Sequence, residues 1–305
     1  MRSVDEGSQR HAMYFGLASV LCWSTVAIAF KISLQSLTPL QLIFIASLVS
    51  WLFLIALLLI KRRFLDLFSQ SAKVYLSSFL FGLLNPLLYY LLLFSAYAEL
   101  PAQEAQAINY SWAIVMSIMA VPMLRHRMNR IDVLAALVCY FGVLLIATRG
   151  DVLTLQFANF KGVALAVMST IVWSTYWILN QKDQREPILG LCLNFTFAIP
   201  VILVIAWQQS GVVGFLQDGS WSGLFAGIYV GVFEMGLAFV LWLNAMKLAK
   251  NTARLANLIF LSPFLSLFLI AVILKEPILM STLAGLACIM FGLLVQQTAG
   301  AKLPN

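Results

Sequence analysis

Apolar and polar positions fall along this chain in long blocks, not with the period of two that marks a half-buried strand. Ten mostly apolar runs, 12–31, 39–60, 74–98, 102–124, 131–148, 162–181, 188–207, 222–246, 252–274 and 278–297, are separated by short segments that hold most of the charge. A helix needs about 20 such residues to cross the hydrocarbon core of a bilayer. The pattern therefore predicts an all-α, polytopic membrane protein with ten transmembrane helices. The fifth run is the shortest, with 16 uncharged residues from Val133 to Thr148, and Arg130 and Asp132 are placed to reach the interface from its end.

The runs repeat. Trp23-Ser24-Thr25 and Trp173-Ser174-Thr175 lie 150 positions apart, as do Gly142-Val143-Leu144 and Gly292-Leu293-Leu294, while Gly82-Leu83-Leu84-Asn85 and Gly231-Val232-Phe233-Glu234 lie 149 apart. The chain reads as two copies of one five-helix unit, residues 12–148 and 162–297, joined by a linker at 149–161 and flanked by tails at 1–11 and 298–305. Arg2 and Arg10 before the first run, and Ala27-Ile28-Ala29 within it, resemble a signal peptide. Its copy lies mid-chain, where no signal peptidase acts, so the first run is expected to be retained.

Five is odd, so the second copy is expected to enter the membrane in the opposite sense to the first. With a cytoplasmic N-terminus, 15 of the 19 Lys and Arg residues fall inside, leaving Lys31, Arg149, Lys161 and Lys275 outside. Both termini are then cytoplasmic and the linker external. Inverted repeats of this kind are a common transporter plan, with the substrate site near the bilayer midplane and exchange between two packings of the halves.

Composition narrows the classes. Hydrophobic residues make up 62% of the chain and charged residues 10%, unlike a soluble domain. The net charge of +7 sits in short runs between apolar segments and not on a basic stripe, so nucleic acid is not an expected partner. Cys22, Cys139, Cys192 and Cys288 lie in apolar runs without CxxC spacing, and His11 and His126 lie at segment ends. No metal site, disulfide framework or cofactor is implied. The scarcity of titratable groups within the runs argues against an enzyme, because proton transfer needs several to converge.

The segment "SPFLSLFLIAVILKEPILMSTLAGLACIMFGLLV" places Pro263, Glu276, Gly285 and Gly292 in the order found in the drug/metabolite transporter superfamily, whose EamA-like ten-helix branch this chain resembles along its whole length. "NYSW" at Asn109 to Trp112 and "VWSTYWILNQK" in the sixth run are similar to the YddG-type exporters of aromatic amino acids, with Ala113 where that branch has Pro. The resemblance implies export of small metabolites, a bacterial inner membrane location, and dimer contacts through the tenth span, whose Gly285 and Gly292 read first as sites of close helix packing. Monomer and homodimer both stand.

Candidate binding residues are aromatic and polar groups deep in the runs. Trp207 and Trp221 sit at predicted ends, and Trp242 close to one, where an interfacial belt accounts for them. Trp23, Trp51, Trp112, Trp173 and Trp177 lie deeper, where tryptophan either packs between helices or lines a cavity. Trp173, Tyr176, Trp177 and Asn180 share one face of the sixth span, and Asn85 and Tyr89 one face of the third. Gln106, Asn109, Tyr110 and Trp112 crowd two turns of the fourth. A lipid-facing amide lacks partners in hydrocarbon, so these faces are expected to point inward.

Glu234 is the acid at mid-span in the eighth run, at the repeat position of Asn85. Intramembrane acids are functional candidates, here for a substrate ammonium or a coupling proton. Glu104, Lys31, Asp132, Lys275 and Glu276 lie near span ends and read as solvated interfacial charges, with Lys275 and Glu276 also placed to gate an outer mouth. Pro86 and Pro263, together with Pro122 and Pro200, are candidate kinks.

The residues and the resemblance together predict an alternating-access exporter of small amphipathic solutes, chiefly amino acids with large apolar side chains, held in an aromatic-lined central cavity. Efflux of aromatic or cationic drugs, with Glu234 in proton antiport, is the alternative. A nucleotide-sugar carrier would need basic groups along the spans, and a channel a continuous polar lining. Neither pattern is present.

Overall fold

The computed structural model describes residues 2–124, 130–153, 157, 159–180, 182–217, 220–249 and 258–300. Arg125, His126, Arg127, Lys250, Arg254 and Lys302, which entered the reading of orientation and segment ends, lie outside the described residues. Ten helical spans follow in order: α1 Arg2–Leu34, α2 Pro39–Ile60, α3 Ala72–Glu99, α4 Ala102–Leu124, α5 Arg130–Ala147, α6 Phe160–Asn180, α7 Pro187–Gln217, α8 Trp221–Leu248, α9 Leu258–Leu274 and α10 Met280–Gly300. Eight are long and apolar enough to cross a membrane, and α9 and α10 contribute shorter apolar stretches, with no strand among the described residues. The chain is a polytopic all-α membrane protein.

The spans start where local chemistry supplies acceptors for the first free N–H groups. Thr38 and Gln41 form a capping box at α2, with Pro39 in the first turn. Ser71 caps α3 and Ser220 caps α8. Asn159 Oδ1 accepts from Gly162 N at 2.9 Å, and Glu186 Oε2 from Leu189 N at 2.7 Å, at the starts of α6 and α7.

Four spans are interrupted among the described residues. In α3, Asn85 is extended (φ −140°, ψ 114°) before Pro86, whose ring disfavours the helical region for the preceding residue; the peptide bond between them is cis. In α4, a turn at Tyr110 and Ser111 separates Ala102–Asn109 from Trp112–Leu124. In α8, the segment Val230–Leu237 is π-helical, and α9 has a turn at Phe260 and a π-helical end at Ile270–Leu274. Helix runs on through Pro122 and Pro200.

Contacts divide the chain into two compact units, one of Met1–Leu87 with Gln184–Leu274, the other of Leu88–Asp183 with Lys275–Asn305. In the first unit α1 packs on α8 and α9, and α7 packs on α2 and on the first half of α3. Arg185 reaches between α3 and α7, its Nη1 donating to Ser78 Oγ and, at 3.3 Å, to Asn194 Oδ1, with the guanidinium 5.1 Å from the Phe81 ring centre. In the second unit α6 packs on the second half of α3 and on α4, and α5 packs along α10.

Shifting span numbers by five turns the pairings of α1 with α8 and α9 into those of α6 with α3 and α4. The correspondence reaches single contacts. Ser24 Oγ donates to Ser262 Oγ at 3.2 Å in the first unit, and Ser174 Oγ to the Trp112 carbonyl at 2.8 Å in the second. Trp23 meets Phe239 with ring centres 6.3 Å apart, and Trp173 meets Tyr89 at 4.3 Å. Each residue in one contact is 150 positions from its counterpart in the other.

Close approach of α5 and α10 depends on glycine. A Cβ on Gly285 would stand 2.5 Å from the Gly142 carbonyl oxygen, and one on Gly142 would overlap the Gly285 carbonyl. Small residues let helix backbones touch in this way, so these glycines serve a contact within the chain. Gly285→Val is expected to cost about 1–3 kcal/mol through overpacking, read as a lower melting midpoint of the purified protein in detergent. An unchanged midpoint would refute this account of the contact.

Candidate functional site

The second unit carries an aromatic wall. Positions 173, 176 and 177 share one helical face, and α6 turns that face toward the second half of α3. Trp173 stacks on Tyr89 at 4.3 Å and on Tyr176 at 5.6 Å, and meets Trp177 edge-on at 5.8 Å. Tyr89 continues edge-on to Tyr90 at 4.7 Å, and Tyr90 to Phe94 at 5.3 Å. Tyr89, Trp173 and Tyr176 are buried, and Trp177 is half-buried. The Trp177 Nε1 atom is buried and has no hydrogen-bond partner among the described residues. Buried polar atoms are nearly always paired, so an orphaned indole N–H calls for an explanation, such as an acceptor supplied by a ligand.

The break in α4 is docked on the same face of the molecule's helix pair. Asn109 Nδ2 donates to Ser169 Oγ at 3.3 Å, and the Trp112 carbonyl accepts from Ser174 Oγ. Asn109, Tyr110 and Trp112 are half-buried at the turn. Of the ten residues singled out from the sequence, Tyr89, Trp173, Tyr176 and Trp177 form one cluster, and Asn109 and Trp112 are tied to α6 by hydrogen bonds.

Tyr110 stands at the turn itself, and the other three lie in the first unit. Glu234, 8% exposed, sits within the π-helical segment of α8, and Asn85, 1% exposed, sits at the break in α3. The Asn85 Oδ1 atom is buried and has no hydrogen-bond partner among the described residues. α1 packs against the π-helical segment that carries Glu234. Trp23 packs between Phe239 and Trp242, 6.3 and 5.5 Å away, in an aromatic contact without a hydroxyl. Trp242 therefore belongs to an interior cluster with Val20 and Ala245, not to an interfacial belt, whereas Trp207 and Trp221 are exposed.

Two expectations for charged residues change. Glu104 is 1% exposed and pairs with Arg149 Nε at 2.8 Å instead of facing solvent. Glu276 accepts from the backbone N–H groups of Ala102 and Gln103. Sequence reading also passed over Thr25 and Tyr229, whose oxygens lie 2.7 Å apart, and Ser47 and Ser50, buried on α2 against the π-helical segment of α8. Their signal was a pair of hydroxyls three residues apart within an otherwise apolar run.

A polytopic helical bundle with polar groups at its helix breaks and an aromatic face within it has the plan of a membrane transporter. The chain belongs to the EamA-like transporter family, whose model matches it twice, over residues 10–148 and 160–296. It is 26% identical over 273 residues to the aromatic amino acid exporter YddG of Ancylobacter novellus, covering 87% of this chain and 89% of that one. It is 24% identical over 284 residues to the uncharacterized transporter YvbV of Bacillus subtilis, covering 92% and 89%. A solved crystal structure 22% identical in sequence aligns with a TM-score of 0.62 over 96% of this chain and 99% of that one, and supports the fold.

The two tryptophan clusters are expected to respond differently to mutation. Trp23 is partly buried against Phe239 and Trp242, so Trp23→Ala is expected to cost about 1–3 kcal/mol of stability, less than the loss of a fully buried aromatic. Trp177→Phe removes an N–H that the folded chain leaves without a partner, so its detergent melting midpoint is expected to match the parent protein. A large loss from Trp177→Phe would mean that the N–H is satisfied within the fold.

Proposed function

We propose that this transporter exports small amphipathic metabolites, chiefly amino acids with aromatic or other large apolar side chains, by alternating access past the aromatic wall of Tyr89, Trp173, Tyr176 and Trp177. The single observation that carries the reading is this wall, with a buried indole N–H available to an acceptor. An apolar side chain gains about 25 cal/mol for each square ångström withdrawn from water, and stacking on indole or phenol adds a preference for rings. A carboxylate oxygen is the acceptor that Trp177 Nε1 lacks.

Tyr110, Trp112 and Asn109 supply further polar edges beside that wall. In the first unit, Glu234 and the Asn85 amide oxygen supply acceptors for an ammonium group or a proton. The printed name of the Ancylobacter relative supports amino acids as substrates and export as the direction. The distribution of Lys and Arg supports cytoplasmic termini in a bacterial inner membrane. A second reading, efflux of lipophilic cations, is favoured by one observation, the buried acid at Glu234.

Purified protein in liposomes tests both readings. Saturable counterflow of labelled phenylalanine or tryptophan is expected, with Trp173→Ala raising KM about tenfold, equivalent to the loss of about 1.4 kcal/mol of binding. Counterflow of a lipophilic cation with none of an amino acid would transfer the assignment to the second reading.

Glu234→Gln is measured in the same vesicles across a range of external pH. If Glu234 carries a proton or holds the ammonium, the variant loses either the pH dependence or most of its affinity. Transport that keeps both would remove Glu234 from the cycle.

A further inference from the structure

We propose that Glu276, together with Gln103, is a positioning device that sets the register of the first half of α4 and so tunes the substrate site; this rests on the aromatic wall being that site. The half-helix Ala102–Asn109 is only two turns long, and such a segment is marginal by itself. Pro101 stands at its N-cap position and offers no side-chain acceptor to the N–H groups that follow. Glu276, 174 residues away in sequence, supplies what is missing. Its Oε1 accepts from Ala102 N at 3.2 Å and its Oε2 from Gln103 N at 3.5 Å, which also places a negative charge at the positive end of the helix.

Gln103 returns the contact. Its Nε2 donates to the Pro277 carbonyl at 2.7 Å, and its Oε1 accepts from Leu279 N at 3.0 Å. The strap between α9 and α10 is thus laced to the start of α4 by four hydrogen bonds, and the Glu104–Arg149 pair anchors the same first turn. At its other end the half-helix stops at the Tyr110–Ser111 turn, so the rest of α4 does not hold it as one rigid rod. Asn109 ends this two-turn segment on Ser169, and Trp112 follows on Ser174, one residue from Trp173. Displacement at Ala102 therefore passes to the groups that flank the wall.

Amide hydrogen exchange and counterflow, measured on the same full-length variants in liposomes, test the proposal. E276A is expected to speed exchange in residues 102–109 about tenfold and to raise KM by a similar factor, the loss expected when charge-assisted hydrogen bonds are removed. Vmax is expected to stay within about twofold if the carrier still cycles once loaded. E276D keeps both acceptor oxygens and is expected to fall between E276A and the parent in both readouts. Q103A leaves the carboxylate in place and is the variant of choice if E276A does not fold; it is expected to raise KM about threefold by cutting two neutral hydrogen bonds.

Parental exchange rates across 102–109 in these variants would overturn the proposal, as would a fall in Vmax or yield at constant KM. Should the parent protein carry no amino acid at all, the reading of its substrate fails, whereas faster exchange in 102–109 would still establish the clasp.

Discussion

Hydrocarbon offers no hydrogen bonds, so every backbone N–H and carbonyl at membrane depth must be satisfied by the chain itself. That constraint accounts for ten helical spans, and it makes each interruption a place where side chains must take over. At the break in α4, Ser174 donates to the Trp112 carbonyl and Glu276 accepts from the N–H groups at the start of the short half-helix. At the break in α3, Pro86 removes a donor and Asn85 leaves the helical region. Asn85, Ser111 and Glu234 are buried polar residues that stand at such interruptions.

The two units show how one contact pattern supports two kinds of chemistry. Trp23 on Phe239 and Trp173 on Tyr89 are the same pairing 150 positions apart. The first is closed by Trp242 and carries no hydroxyl, so it contributes apolar packing. The second is extended by Tyr176 and Trp177, whose polar edges can select a ligand as well as bury it. Asn85 and Glu234 diverge too: one is a neutral amide at the break in α3, the other an acid in the π-helical segment of α8. A doubled chain has kept its scaffold contacts and separated its roles.

Charges at helix ends provide the remaining order. Glu104, Glu186 and Glu276 each meet a specific partner, an Arg149 guanidinium or backbone N–H groups, in place of bulk water. A carboxylate at a helix start gains from the helix dipole and from charge-assisted hydrogen bonds.

The number of spans, their approximate limits and the internal repeat were legible in the sequence, because span length is set by bilayer thickness and glycine and tryptophan recur at a constant offset. The stripe at Trp173, Tyr176 and Trp177 was legible for the same reason, since a helix has a fixed period. What only the tertiary structure decided was which face met which neighbour. The same WST motif puts Trp23 into an apolar cluster and Trp173 into a hydroxyl-bearing wall, because the partners that meet them, Phe239 and Tyr89, come from distant spans. Glu276 looked like a solvated charge because its partners, Ala102 and Gln103, are 174 and 173 residues distant. Periodicity is a property of one helix and can be read from one segment, whereas burial, capping from afar and the pairing of polar atoms depend on several segments at once.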